Sequence, residues 1–229
     1  HFAVQPGMLT GQQALPTFGG LIPPLPQFAQ AAAGGGAIAA FPDPDGVVRR
    51  ALLLCTQTAA HPGERRLYPS LLLSLAAGHR HWDFSRMDLN LRREAVLSPQ
   101  TRVPLDGQGE ALINFLGPAD MVSKVSYVDV LDGRFPPRLF QGKIVLVGFT
   151  APGLVDQYAV PLQPSIMSGV DLQAQTLENF LNSTFLKPSS QGNVLGLALF
   201  LTLIAAAAAA STRPVLGLAF VFLLLGAYN

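Results

Sequence analysis

The strongest constraint on this chain lies in its last stretch, VLGLALFLTLIAAAAAASTRPVLGLAFVFLLLGAYN. Val194 to Ala210 carries no charge, and neither does Val215 to Tyr228. Only Ser211, Thr212, Arg213 and Pro214 separate the two runs. Helices of water-soluble domains keep a polar face, so two adjacent charge-free runs predict helices in an apolar environment. Flanked by Gly192, Asn193 and Ser211, the first run approaches the roughly 20 residues that cross a hydrocarbon core. The expectation is two transmembrane helices, 192–211 and 214–229, the second cut short. The alternative, a pair of buried helices in a soluble core, predicts shorter runs with some polar residues. Arg213 is the only charge in the connecting turn, which places that turn in the cytoplasm by the positive-inside rule. Residues 1–188 then form a domain on the extracytoplasmic side, the periplasm in a Gram-negative-type cell. The chain is expected to be a multi-pass cell-membrane protein.

Composition narrows the rest. Net charge is +1, so the basic footprint of a nucleic-acid binder is absent and no nucleic-acid partner is expected. The single cysteine, Cys55, excludes an internal disulfide and a Cys-rich zinc site. Nothing at the N-terminus has the basic and apolar regions of a signal peptide. A first residue of His1 leads to the expectation of an internal piece of a longer protein.

Residues 1–188 predict an α/β domain, a mixed sheet with packed helices. LPQFAQAAAGGG suggests a short helix stopped by glycines, AIAAF a strand, and VVRRALLLC a returning strand. YPSLLLSLAAG predicts a helix with Pro69 near its first turn and Gly78 just past its end. Arg80 to Leu97 reads as polar and irregular. TRVPLDGQGEALINFLG predicts a hairpin turning at Asp106-Gly107, its strands running to Leu105 and from Ala111 to Phe115. Ile144 to Val147 is a continuous aliphatic run, expected of a strand buried on both faces. VDLQAQTLENFLNSTFL predicts a helix with Val170, Ala174, Leu177 and Leu181 along one face.

Two stretches invite a search for chemistry. FPDPDGVVRR, Phe41 to Arg50, fails as a calcium-binding EF-hand loop: with Asp43 and Asp45 at positions 1 and 3, Gly46 falls at 4 and Leu54 at 12. A carboxylate acid–base pair would need a cleft and a partner base. The favoured reading is a turn in which Asp43 or Asp45 caps backbone amides, Gly46 supplies a positive φ, and Arg49 or Arg50 pairs nearby. GFTAPG, from Gly148, matches neither a nucleophile elbow nor a phosphate loop. The loop after a buried strand is a common ligand position in α/β folds, so Thr150, Asp156 and Gln157 are candidate ligand-sensing residues, against the plainer reading that Asp156 only orders the loop. His79 and His81 stand two apart without a third ligand nearby, and His1 and His61 are scattered. No metal and no cofactor are expected.

Several stretches, in order, resemble the second half of a CHASE2 domain: FPDPDGVVRRALLL, YPSLLLSLA, INFLGP, VSYVDVLDG, FQGKIVLVGFTAPGLVDQYAVPL, SGVDLQAQTLENFL and FLKP. The resemblance covers roughly Pro23 to the chain end. It implies an extracytoplasmic sensor domain of a bacterial receptor, followed by transmembrane helices and a cytoplasmic output such as an adenylate or guanylate cyclase, a diguanylate cyclase, a histidine kinase or a Ser/Thr kinase. It also implies a structural signature at Asp43, Asp45, Gly46 and Arg49. The expected function is the sensory input module of such a receptor, N-terminally truncated, acting as a homodimer on an extracytoplasmic ligand. Catalysis is not expected of this chain, since no nucleophile–base pair or metal cluster is evident. The alternatives are a membrane-anchored extracytoplasmic enzyme, which would need such a pair, and a transporter fragment, which would carry ionisable residues inside its spans.

Overall fold

The computed structural model describes residues 3–5, 7–11, 15–20, 22–58, 65–118, 121–150, 157–161 and 166–209. These fall into two compact units, His1–Lys187 and Pro188–Asn229.

The first unit is mixed α/β. Its largest sheet has the order β1 (Met8–Thr10), β6 (Asp88–Asn90), β7 (Glu94–Ser98), β8 (Thr101–Pro104), with β1 parallel to β6 and the other pairs antiparallel. A second sheet places β4 (Leu54–Thr58) between a parallel β2 (Thr17–Phe18) and an antiparallel β5 (Arg65–Pro69). Two antiparallel pairs complete it, β3 (Arg50–Leu52) with β9 (Glu110–Leu112), and β10 (Gln157–Ala159) with β11 (Ile166–Ser168). Helices α2 (Leu71–Arg80) and α4 (Gly169–Asn182) pack on each other, while α1 (Pro26–Ala31) and α3 (Tyr127–Leu131) bury no residue.

The core forms where the continuously buried run Ala51 to Thr56 through β3 and β4, the alternating strands β7 and β8, and the apolar stripe of α2 meet. Leu53, Leu54, Leu73, Met87, Leu89, Leu91 and Val103 are fully sealed from solvent, and Phe180 and Phe185 meet edge to face at 4.8 Å. Each such leucine contributes about 1.5–3 kcal/mol of hydrophobic burial. Ser70 starts α2 by accepting from the Leu73 N–H at 3.2 Å. Gly36 lets the preceding chain run against that start, because a Cβ there would lie 2.5 Å from the Leu71 nitrogen.

Several expectations are corrected. The two transmembrane helices are overturned: among the described residues no helix is long and apolar enough to cross a membrane. In the second unit α5 (Gln191–Ala209) does form, but it opens with the polar Gln191-Gly192-Asn193 and ends in a weakly hydrophobic alanine tract. Its apolar part, Val194 to Ala209, spans only about 24 Å at 1.5 Å per residue, against a hydrocarbon core of about 30 Å. The second expected span, 214–229, lies outside the described residues.

Ile144 to Val147 is not a strand. Ile144 and Leu146 pack against the core while Val145 and Val147 remain 50% and 76% exposed, the alternation of an extended chain that lies on the domain without a ladder partner among the described residues. The polar stretch 80–97 instead contains β6 and β7, whose inward residues Leu89, Ala95 and Leu97 are buried and whose outward ones carry the polarity. Gly78 lies inside α2, which ends at His81 in the left-handed conformation (φ 56°). The turn at Asp106 forms, but β8 and β9 pair with β7 and β3 rather than with each other.

Candidate functional site

The acidic turn is built from its own backbone outward. The Gly46 N–H donates to the Asp43 carbonyl at 2.8 Å, the Asp43 N–H donates to the Val47 carbonyl at 2.9 Å, and Gly46 sits at φ +83°, where a Cβ would be strained. The Val47 N–H donates to Asp45 Oδ1 at 3.1 Å. Arg49 then forks onto Asp45 with two bonds of 2.9 and 2.8 Å and reaches Asp43 Oδ2 at 2.9 Å. This bidentate grip, with the Val47 amide, lowers the Asp45 carboxyl to about 2 and raises the Arg49 guanidinium.

Arg50 carries the network across the β3–β9 pair. Its guanidinium bonds Asp43 and meets Asp106 Oδ2 at 3.1 Å. Asp106 in turn accepts from the Gln108 and Glu110 N–H groups at 2.8 and 3.0 Å. Two turns distant in sequence are thus tied by one arginine. Burial, reinforced by the Asp106 and Asp43 charges and opposed by Arg50, raises the neighbouring Glu110 carboxyl.

β9 also carries the second constellation. Along α4, Asp171, Gln175 and Asn179 stand four residues apart on one face, and all three are buried. Asn179 accepts from the Asn114 N–H at 2.7 Å and donates to the Asn114 carbonyl at 2.9 Å. Gln175 accepts from the Leu116 N–H at 3.0 Å and donates to the Gly117 carbonyl at 2.9 Å. The two amides serve the chain after β9 as a neighbouring strand would, offering donor and acceptor in alternation. At the start of the helix, Asp171 is held by the Ser168 hydroxyl at 2.6 Å and by Lys124 Nζ at 3.0 Å. From the other end, the Leu186 N–H donates to the Leu112 carbonyl at 3.0 Å.

The apolar spacing Val170, Ala174, Leu177 and Leu181 finds only one edge of this helix: Leu177 is buried and the other three are half-buried. The polar stripe is the more deeply buried line. Its signal is the four-residue spacing of an aspartate, a glutamine and an asparagine on one helix face.

Two of the three candidate ligand-sensing residues, Thr150 and Gln157, fall among the described residues. Thr150 is exposed in the extended segment and Gln157 is exposed at the start of β10. Asp156 lies outside the described residues, as do His1 and His61. Among the described residues no three His, Cys, Asp or Glu side chains are grouped to hold a metal ion. A cavity of about 40 Å³ lies between the starts of α2 and α4, lined by Arg50, Ser70, Leu172 and Thr176 among others. It has room for water and not for an organic ligand.

The CHASE2 domain family matches residues 7–209. No curated protein and no solved structure matches the chain. CHASE2 is an extracytoplasmic sensor domain of signalling receptors. The chain belongs to the CHASE2 family.

Proposed function

We propose, with CHASE2 membership as the premise, that this chain is the sensory input module of a bacterial receptor. It meets an extracytoplasmic stimulus, associates with the membrane and works as a homodimer. It passes the stimulus to a cytoplasmic output of the cyclase or kinase kind. The module itself performs no catalysis.

The observation that carries this reading is the junction at β9. One short strand is paired to β3 beside the Asp43–Arg50–Asp106 network. The chain that follows it is clasped by Gln175 and Asn179. The strand is also bonded to Leu186, one residue before the end of the first unit. A stimulus that moves the charged turns or α4 therefore meets the connector within a few residues. A sensor needs such a link between a ligand-biased element and its exit segment. Thr150, Asp156 and Gln157 are proposed as contacts for the stimulus.

Two measurements test the proposal. In the intact receptor, a periplasm-active or a cytoplasm-active reporter is placed after Gln191. Activity of the periplasmic reporter is expected, and activity of the cytoplasmic one would sink the sensory assignment. Thr150→Ala and Gln157→Ala, both at exposed positions, are expected to change the receptor's output response while the domain stays folded.

A further inference from the structure

The outward face of the largest sheet holds a groove of about 190 Å³, lined by Met8, Thr10, Asp88, Asn90, Arg93, Glu94 and Val96. Register explains why these residues meet. Met8 pairs with Asp88, and Asp88 with Val96; Thr10 pairs with Asn90, and Asn90 with Glu94. Two rows of outward side chains therefore cross β1, β6 and β7, about 6.7 Å apart along the strands. Arg93 stands in the β6–β7 turn beyond the second row.

The charges in the groove are not spent on each other. Arg102 holds Glu94 at 3.2 Å. Among the described residues the Asp88 carboxylate, the Arg93 guanidinium and the Thr10 hydroxyl have no hydrogen-bonding or ion-pair partner. Asn90 Oδ1 accepts from the Arg92 N–H at 3.3 Å, which leaves its amide nitrogen free to donate. One unspent anion stands in the first row and one unspent cation past the second, with a hydroxyl and an amide between them and the apolar Met8 and Val96 beside the anion.

We infer that this groove binds a small zwitterion of the free α-amino-acid class, its ammonium on Asp88 and its carboxylate on Arg93. A simple cation would leave Arg93 unanswered, and a simple anion would be repelled by Asp88. The volume is below the roughly 300–1,000 Å³ of clefts for drug-sized ligands, and it suits an amino acid. Recognition through one charge-assisted bond at each end fixes orientation, because reversing the ligand places like charges together. The inference supplies a ligand class for the sensory module and in that sense rests on the sensory reading. Binding to the chain is a property of the groove alone, whereas the output response tests the sensor.

Calorimetric titration of the full chain with each of the twenty standard free amino acids decides it. Saturable one-to-one binding with Kd of about 1 mM or tighter is expected for at least one. Its decarboxylated amine and its N-acetyl derivative are expected to bind about tenfold more weakly or worse. Asp88→Asn and Arg93→Gln should each weaken binding about tenfold, while Arg138→Gln, outside the groove, leaves it unchanged. Circular dichroism checks that the variants are folded, and the two blocked ligands test the wild-type chain whatever the variants do. Absence of saturation for every amino acid up to about 10 mM would overturn the inference. So would equal affinity for the amine or the N-acetyl form, or unchanged binding to folded Asp88→Asn and Arg93→Gln.

Discussion

Replacing Asn179 with leucine tests whether the amide ladder holds the chain after β9. Asn179 is fully buried, and its side chain makes three bonds, with the Asn114 N–H at 2.7 Å, the Asn114 carbonyl at 2.9 Å and the Gln175 carbonyl at 2.9 Å. Leucine has the same branching and is somewhat larger, so no cavity opens and the loss is mainly polar, with some crowding added. The Gln175 carbonyl keeps a helical environment, which leaves the Asn114 N–H and carbonyl as the groups stranded. Each stranded buried group costs about 1–3 kcal/mol, and Asn114 is only half-buried, so water recovers part of that. The expected destabilisation is about 2–4 kcal/mol. It should appear in urea unfolding as a lower midpoint at unchanged slope, or as a fall in Tm of roughly 4–16 °C for a unit of this size. Hydrogen exchange should speed up at Asn114, and at Leu186 beyond global unfolding, because Leu186 bonds the same strand. Asn179→Asp keeps an acceptor but turns charge toward the Asn114 carbonyl, so it should be at least as damaging at neutral pH. A loss below about 0.5 kcal/mol for Asn179→Leu, the range of an unimportant surface site, would refute the ladder as a structural clasp.

The other predictions concern charge and close approach. Arg50→Gln removes the cation that the largely buried Asp43 and Asp106 share, leaving Asp43 to Arg49 and Asp106 to two backbone N–H groups, and should lower stability by about 1–3 kcal/mol in urea titrations. Asp45, held near 2 against an ordinary 3.8, contributes stability that is present above 3.8 and lost as pH falls through about 2. Asp45→Asn should therefore flatten the acid limb of a stability–pH curve in that window. Glu110 is shifted upward, so its ionised form is penalised in the fold and stability is gained as pH falls through its folded value toward 4.5. Glu110→Gln should remove that slope and raise stability near neutrality, as read by Tm against pH. Gly36→Ala puts a methyl 2.5 Å from the Leu71 nitrogen and should cost about 1–3 kcal/mol by forcing the start of α2 to move.

The sequence revealed what depends on neighbours along the chain. The FPDPDG turn, the Asp106 turn and α4 all rest on capping chemistry, glycine geometry and helical spacing within a few residues. What it concealed depends on distant partners. The β6–β7 hairpin was masked because its outward residues, Asp88, Asn90 and Glu94, are polar while its inward ones are too few to announce a strand. Ile144 to Val147 has a strand's composition, yet a strand requires another to pair with, and composition does not supply one. The transmembrane expectation came from counting charge-free residues. It gave too little weight to the polar first turn of α5 and to the weak hydrophobicity of its alanines. The polar stripe of α4 was hidden behind the apolar one because its partners are backbone groups some 60 residues away. The groove was invisible for a similar reason, since it exists only in the register of three strands.

The contrast between two extended segments bears on solubility. The chain after β9 has Gln175 and Asn179 laid along it, so a foreign strand finds its hydrogen-bonding groups already engaged. Residues 144–149 have no such cover among the described residues, and they present Val145, Val147 and Phe149 on the outer side. An uncovered, apolar, extended edge is a template on which other chains add strands. Self-association at high concentration would begin at this edge, and a lysine in place of Val147 is the smallest change that closes it while leaving the inward Ile144 and Leu146 in place.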